Sequence, residues 1–202
     1  MTNTDKKTRR LVFVGLMAAL VFVFTYVRIE IPTPLGKTML HLGNVMCLLS
    51  AFLLGPLDGG LAAGFGSMFF DLFDPTYFPT CWVTFILKFA MAFVCGAIAH
   101  GGKKQTEAET AEPADGKIKL KGRDVVGAVC GALCYTALYL AKTFIQKYLI
   151  EGYEIETVLA TMVTKGTVSL TNALVAVVAS LILNSVLRPA LKKSGLADKL
   201  GL

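Results

Sequence analysis

Four ionisable side chains stand in stretches otherwise poor in charge: Asp71, Lys88, Lys142 and Lys165. Within hydrocarbon such a group costs at least a few kcal/mol, so each needs a partner, a cavity or a function. His41 opens another apolar run, with Asn44 one turn further on. Three ammonium groups and a histidine favour a ligand bearing an anionic or carbonyl acceptor, while Asp71 and Asn44 can read ring nitrogens or an amine. Helical spacing gathers more: Tyr135, Tyr139, Lys142 and Gln146 share one face, and Thr161, Lys165, Val168 and Asn172 share another. The expected ligand-binding set is His41, Asn44, Asp71, Tyr77, Lys88, Tyr139, Lys142, Lys165 and Asn172. Plainer readings compete. Lys147 and Lys165 could snorkel to the interface, the lysines could pair with Asp71 and the loop acids, and His41 and Asn44 could cap a helix. Tyr77 and Trp82 flank a loop and suit an interfacial belt, which is the better account of Trp82.

Other chemistries find no support. The five cysteines (47, 81, 95, 130 and 134) have no histidine or acid at ligand spacing, so no metal site is implied. Gly64-Phe65-Gly66-Ser67 lacks the Gly-x-Ser-x-Gly pattern, and neither histidine sits at a matching depth. No Walker motif and no His-Glu-x-x-His occurs, so no cofactor is expected and any ATPase belongs to another chain.

The elements that position these residues follow from composition. Of the 202 residues 54% are apolar and 17% charged, and the mean hydropathy is +0.62. That excludes a disordered chain and a disulfide-stapled secreted domain, and argues against a soluble enzyme. It predicts an all-α integral membrane protein forming one domain over 1–202. A span needs about 20 mainly apolar residues. Six are expected, at about 11–28, 39–54, 59–73, 80–99, 124–150 and 161–187. The prolines at 32 and 34 predict a loop, Gly55-Pro56 with the link Leu57-Asp58 a reversal, and Arg188-Pro189 a stop. Residues 101–122 read as a hydrophilic linker. The apolar run after the basic leader is expected to be a retained first helix rather than a signal peptide, because it is long and no small-residue cleavage site follows.

Fourteen of the 20 Lys and Arg lie in the leader, in the linker to Arg123, and from Arg188 onward. An even span count puts all three segments on one side, which the positive-inside rule makes cytoplasmic. At 1.5 Å per residue Lys88 and Lys142 lie about 12 Å from the outer ends of their helices and Lys165 about 6 Å. The inner halves, 45–54, 89–99, 125–134 and 174–183, hold no charge. A channel needs a continuous polar path and this pattern denies one. A binder that takes solute from outside fits.

Small residues three or four apart allow close helix packing: Gly60 and Gly64, Gly127 and Gly131, and the stripe Gly15, Ala18 and Ala19. The stretch His41-Leu42-Gly43-Asn44, then Leu54-Gly55-Pro56-Leu57-Asp58-Gly59-Gly60-Leu61-Ala62-Ala63-Gly64-Phe65-Gly66-Ser67 and Asp71-Leu72, resembles the substrate-binding S components of energy-coupling factor (ECF) vitamin transporters. Thr84-Phe85-Ile86-Leu87-Lys88-Phe89-Ala90-Met91 continues the resemblance. It implies a non-enzymatic subunit of the bacterial cytoplasmic membrane that captures a vitamin or precursor near the outer helix ends. It also implies partners, a membrane coupling protein and two ATPases, with Gly15, Ala18 and Ala19 as the contact with the coupling protein. Here the stripe is Gly15-xxx-Ala19 rather than the commoner Ala-xxx-Ala. Pyridoxine-like, pyrimidine, queuosine-type and flavin ligands all remain open. The competing readings are a self-contained secondary carrier, for which no inverted halves are evident, and an intramembrane enzyme using Lys88 and Asp71.

Overall fold

A computed structural model of the chain describes residues 3–101 and 121–193. The expected linker therefore lies almost wholly outside the described residues. Among the described residues five helices are long and apolar enough to cross a membrane. They are α1 (Asn3–Tyr26), α2 (Gly43–Leu72), α3 (Cys81–His100), α4 (Gly122–Phe144) and α5 (Ile155–Lys193). Helices suit lipid because every backbone polar group is satisfied within the segment.

The second of these is two arms. Gly55 has φ 82° and ψ −174°, outside the helical region, and Pro56 follows. Ser50 Oγ donates to the Gly59 carbonyl at 3.1 Å, and Cys47 Sγ lies 3.9 Å from Ser67 Oγ. In a straight helix residues twenty apart would be about 30 Å apart. The arms 43–54 and 56–72 therefore run antiparallel, side by side. A Cβ at Gly59 would fall 2.7 Å from Ala51 Cα, so the close approach requires glycine there. The helices expected at 39–54 and 59–73 are these arms, with one correction. Leu57-Asp58 is helical, and Gly55 alone makes the reversal.

Residues 28–41 depart further from expectation. They form a β-hairpin, β1 (Arg28–Thr33) antiparallel to β2 (Gly36–His41), with Arg28 opposite His41 and Thr33 opposite Gly36. The helix ends at Tyr26, well before the prolines, and the loop expected there is a two-stranded ribbon, in which a missing N–H can face outward. The second helix consequently starts at Gly43, four residues later than expected.

Other boundaries shift as well, and α1 and α5 are longer than expected. A 3-10 turn at Phe78–Thr80 leads into α3, and a π-helical segment, Ile145–Ile150, extends α4 over the expected 124–150. α5 starts at Ile155 and passes through Pro189 to Lys193. Proline removes one donor but does not force the chain to turn there.

The core holds Met17, Val21, Phe52, Met91, Cys95, Ala128, Ala132 and Ala176. Glycines set the helix spacing. A Cβ at Gly60 or Gly64 would press on the rings of Phe89 or Phe85, and one at Gly127 or Gly131 on the Cys95 or Met91 carbonyl. Both pairs pack within the bundle, against α3. The stripe on α1 divides: Ala18 packs on the core, whereas Gly15 and Ala19 are exposed.

Candidate functional site

The sequence places Lys88, Lys142, Lys165 and Asp71 on four different helical segments, and the fold brings them to one cavity at the hairpin end of the bundle. The same cavity is lined by His41, Tyr77, Tyr139 and Asn172. Eight of the nine expected site residues thus meet. Asn44, the ninth, lies behind the wall, 1% exposed, and its Oδ1 accepts a hydrogen bond from Lys88 Nζ.

Lys88 is 3% exposed. Besides Asn44 it meets the face of Tyr135, its Nζ 3.8 Å from the ring centroid. A cation over an aromatic face gains electrostatic stabilisation that increases as water is removed. Asp71 is 4% exposed and faces the same space, and no lysine lies within ion-pair distance of it among the described residues. Tyr135 and Tyr139, one turn apart on α4, stack with centroids 5.9 Å apart and planes at 11°. Lys165 Nζ sits 5.7 Å from the Tyr139 centroid, and Lys142 Nζ donates to Thr80 Oγ1 at 3.4 Å.

The hairpin covers this cavity and two helices hold it. Asn172 Nδ2 donates to the Met39 carbonyl at 2.8 Å, and its Oδ1 accepts from the His41 backbone N–H at 3.0 Å. Both ends of that amide serve β2. Tyr139 Oη lies 3.3 Å from Thr38 Oγ1, a second tie. His41 Nδ1 accepts from the Gly43 N–H at 3.1 Å, so a neutral ring carries its proton on Nε2. Outside the helices, Arg28 pairs with Asp74 at 2.9 Å and with Glu30 at 2.9 Å, and Lys37 pairs with Glu30 at 3.1 Å. Burial pulls the Asp74 carboxyl up. The Thr76 N–H, Arg28 and Lys37 outweigh that, holding it below its ordinary value.

The pairing expected of the lysines is realised for one. Lys147 bonds Glu151 at 2.6 Å, and Gln146 turns to the same acid instead of the cavity. Trp82 is 61% exposed on the outer surface, as an interfacial aromatic would be. Several lining residues escape sequence reasoning, among them Thr38, Ser67, Thr84 and Ser169. Thr84 stands four residues before Lys88 and Ser169 four after Lys165, so helical spacing from the lysines is the signal that finds them. Ser169 bonds Thr136 at 2.9 Å across the α4–α5 contact.

Beyond the cavity the bundle is apolar. Ser50 and Ser180 are buried there, Ser50 bonding the Cys47 carbonyl of its own arm and the Gly59 carbonyl of the other, and Ser180 the Val177 carbonyl of its own helix. At the far end Asp124 accepts from Asn184 Nδ2 at 3.2 Å, with Arg188 at 3.8 Å. Among the described residues no cluster of three or more His, Cys, Asp and Glu could hold a metal ion.

A multi-pass helical bundle with one polar, partly enclosed cavity at one end and apolar packing beyond it defines a membrane-embedded solute binder. Residues 5–189 match the model of the family described as the ECF-type riboflavin transporter, S component, and the chain belongs to that family. It is a transporter subunit of the multi-pass membrane class, which sets aside the reading as an enzyme acting through Lys88 and Asp71. The fold is similar to that of a solved S component of a bacterial ECF transporter, with 17% identity, 92% of this chain and 99% of that chain covered, and a TM-score of 0.66. No curated protein matches the chain.

Proposed function

We propose that the chain captures riboflavin or a closely similar ring compound from outside the cell, in the cavity beneath the hairpin, and delivers it with a separate coupling protein and two ATPases. Counting each arm of α2 as a crossing gives six, with the N- and C-termini and the linker in the cytoplasm. The distribution of basic residues supports that orientation. His41, Asp71, Tyr77, Lys88, Tyr139, Lys142, Lys165 and Asn172 form or hold the ligand wall, and Asn44 sets Lys88. Gly15 and Ala19, exposed on α1, are assigned to the coupling face, whereas Ala18, expected there with them, packs inward.

The observation that carries this reading is a cavity confined to one end of the bundle, above an apolar core, in a chain of this family. A self-contained carrier would need a second polar opening toward the other side. The test is uptake of riboflavin by cells expressing the chain with and without the coupling protein and ATPases. Uptake should require all of them, and transport by the chain alone sinks the proposal. Purified protein should carry a ring compound identifiable by mass spectrometry. Lys88→Ala should weaken riboflavin binding roughly tenfold or more, the scale of a lost charge-assisted hydrogen bond.

A further inference from the structure

Charge in the cavity wall is unbalanced. Its Asp, Glu, Lys and Arg residues are Lys88, Lys142, Lys165 and Asp71, so three ammonium groups face one carboxylate and two positive charges are unmatched. Lys88 is the best provided, with Asn44 as acceptor, the Tyr135 face, and Asp71 as the nearest acid in the wall. Lys142 has one long contact to a hydroxyl and shares Asp71 with Lys88 as its strongest charged neighbour. Among the described residues Lys165, 9% exposed, has only the face of Tyr139, and its strongest charged neighbours are Lys142 and Lys147, ahead of Glu151. Neighbouring acids are committed elsewhere, Glu151 to Lys147 and Glu30 and Asp74 to Arg28 and Lys37. No carboxylate of the described residues lies within ion-pair distance of Lys142 or Lys165.

Buried charge without a partner is strongly unfavourable, and each ammonium offers three donors. A neutral ring can use some donors but cancels no charge. A carboxylate cancels one. A phosphomonoester carries about −1.5 to −2 at pH 7 on three acceptor oxygens, which matches the excess. The parallel rings of Tyr135 and Tyr139, in the same wall, suit the flat part of such a molecule.

We propose that the ligand is a ring compound bearing a phosphomonoester, whose phosphate sits between Lys142 and Lys165. This rests on the cavity being the ligand site and adds the charge class of the ligand.

The experiment titrates the full-length protein in detergent with two pairs of probes: riboflavin and riboflavin 5′-phosphate, and pyridoxine and pyridoxine 5′-phosphate. In at least one pair the phosphate ester should bind roughly tenfold tighter or more, a difference of one decade in Kd. Lys142→Gln and Lys165→Gln should each shrink that ratio to about threefold or less, whatever either change does to the neutral member, as expected where one charge pair is lost. Lys142→Arg should keep the ratio, which separates loss of charge from misfolding. Equal or tighter binding of the neutral member, or a ratio untouched in both glutamine variants, overturns the phosphate assignment alone. If no member of either pair binds, the cavity reading falls with it.

Discussion

Lys88 shows how a charge survives in an apolar helix: one amide acceptor from a neighbouring arm and one aromatic face from α4. Asn44 is therefore a positioning residue, since its Oδ1 directs the ammonium and its own side chain does not line the cavity. Asn44→Leu should weaken riboflavin binding about as much as Lys88→Ala, roughly tenfold or more, because the ammonium loses a charge-assisted bond. Trp82→Leu, on the outer surface, should change it by no more than about twofold. Fluorescence titration of both variants checks the pair, and an unaffected Asn44→Leu would remove that role. Charged residues of the site were legible because charge is scarce in these helices. Thr84, Ser67 and Ser169 were not, since a hydroxyl can bond the carbonyl of its own preceding turn, as Thr164 and Thr167 do, and so signals nothing by its presence.

At the scale of elements the hairpin is the mobile candidate, a two-stranded ribbon marginal on its own and dependent on its ties to helices. Asn172→Ala removes both amide bonds to β2 and should loosen the hairpin by about 1–3 kcal/mol, seen as faster hydrogen exchange of residues 36–41 and faster ligand dissociation. Asp74 makes the clamp pH-dependent. Its carboxyl titrates below the ordinary value, so its contribution is fully present above the unfolded value of about 4 and is lost as pH falls through the lower folded one. Hairpin protection, the exchange rate relative to the intrinsic rate at each pH, should be flat from pH 8 to 5 and fall only in more acid solution, while Asp74→Asn should be poorly protected throughout. The reversal of α2 was readable from Gly55-Pro56, because few residues other than glycine accept φ 82°. The ribbon was not, since its two prolines also mark a loop. Its period-two pattern is short, six residues a strand.

On the proposed function the whole molecule must hold a ligand and engage a partner at surfaces that do not touch, and we assign the second task to α1. It is the least buried span, with 22% of its apolar window inside the bundle against 67% for α2. Its small residues face two ways: Ala18 packs on the core, where its carbonyl would lie 2.4 Å from a Cβ at Gly66, while nothing lies within 4 Å of a Cβ at Gly15. Among the described residues a larger side chain at Gly15 therefore meets nothing, Ala19 is exposed beside it, and the cavity wall includes neither residue. If this strip is where a coupling helix approaches closely, Gly15→Leu with Ala19→Leu should leave riboflavin affinity within about twofold and abolish uptake in cells that express the complete transporter. Gly66→Leu should behave oppositely, lowering the yield of folded protein and affecting binding and uptake together, because its side chain has no space beside Ala18. Uptake that persists in the Gly15/Ala19 double variant at unchanged expression would move the coupling face to another helix.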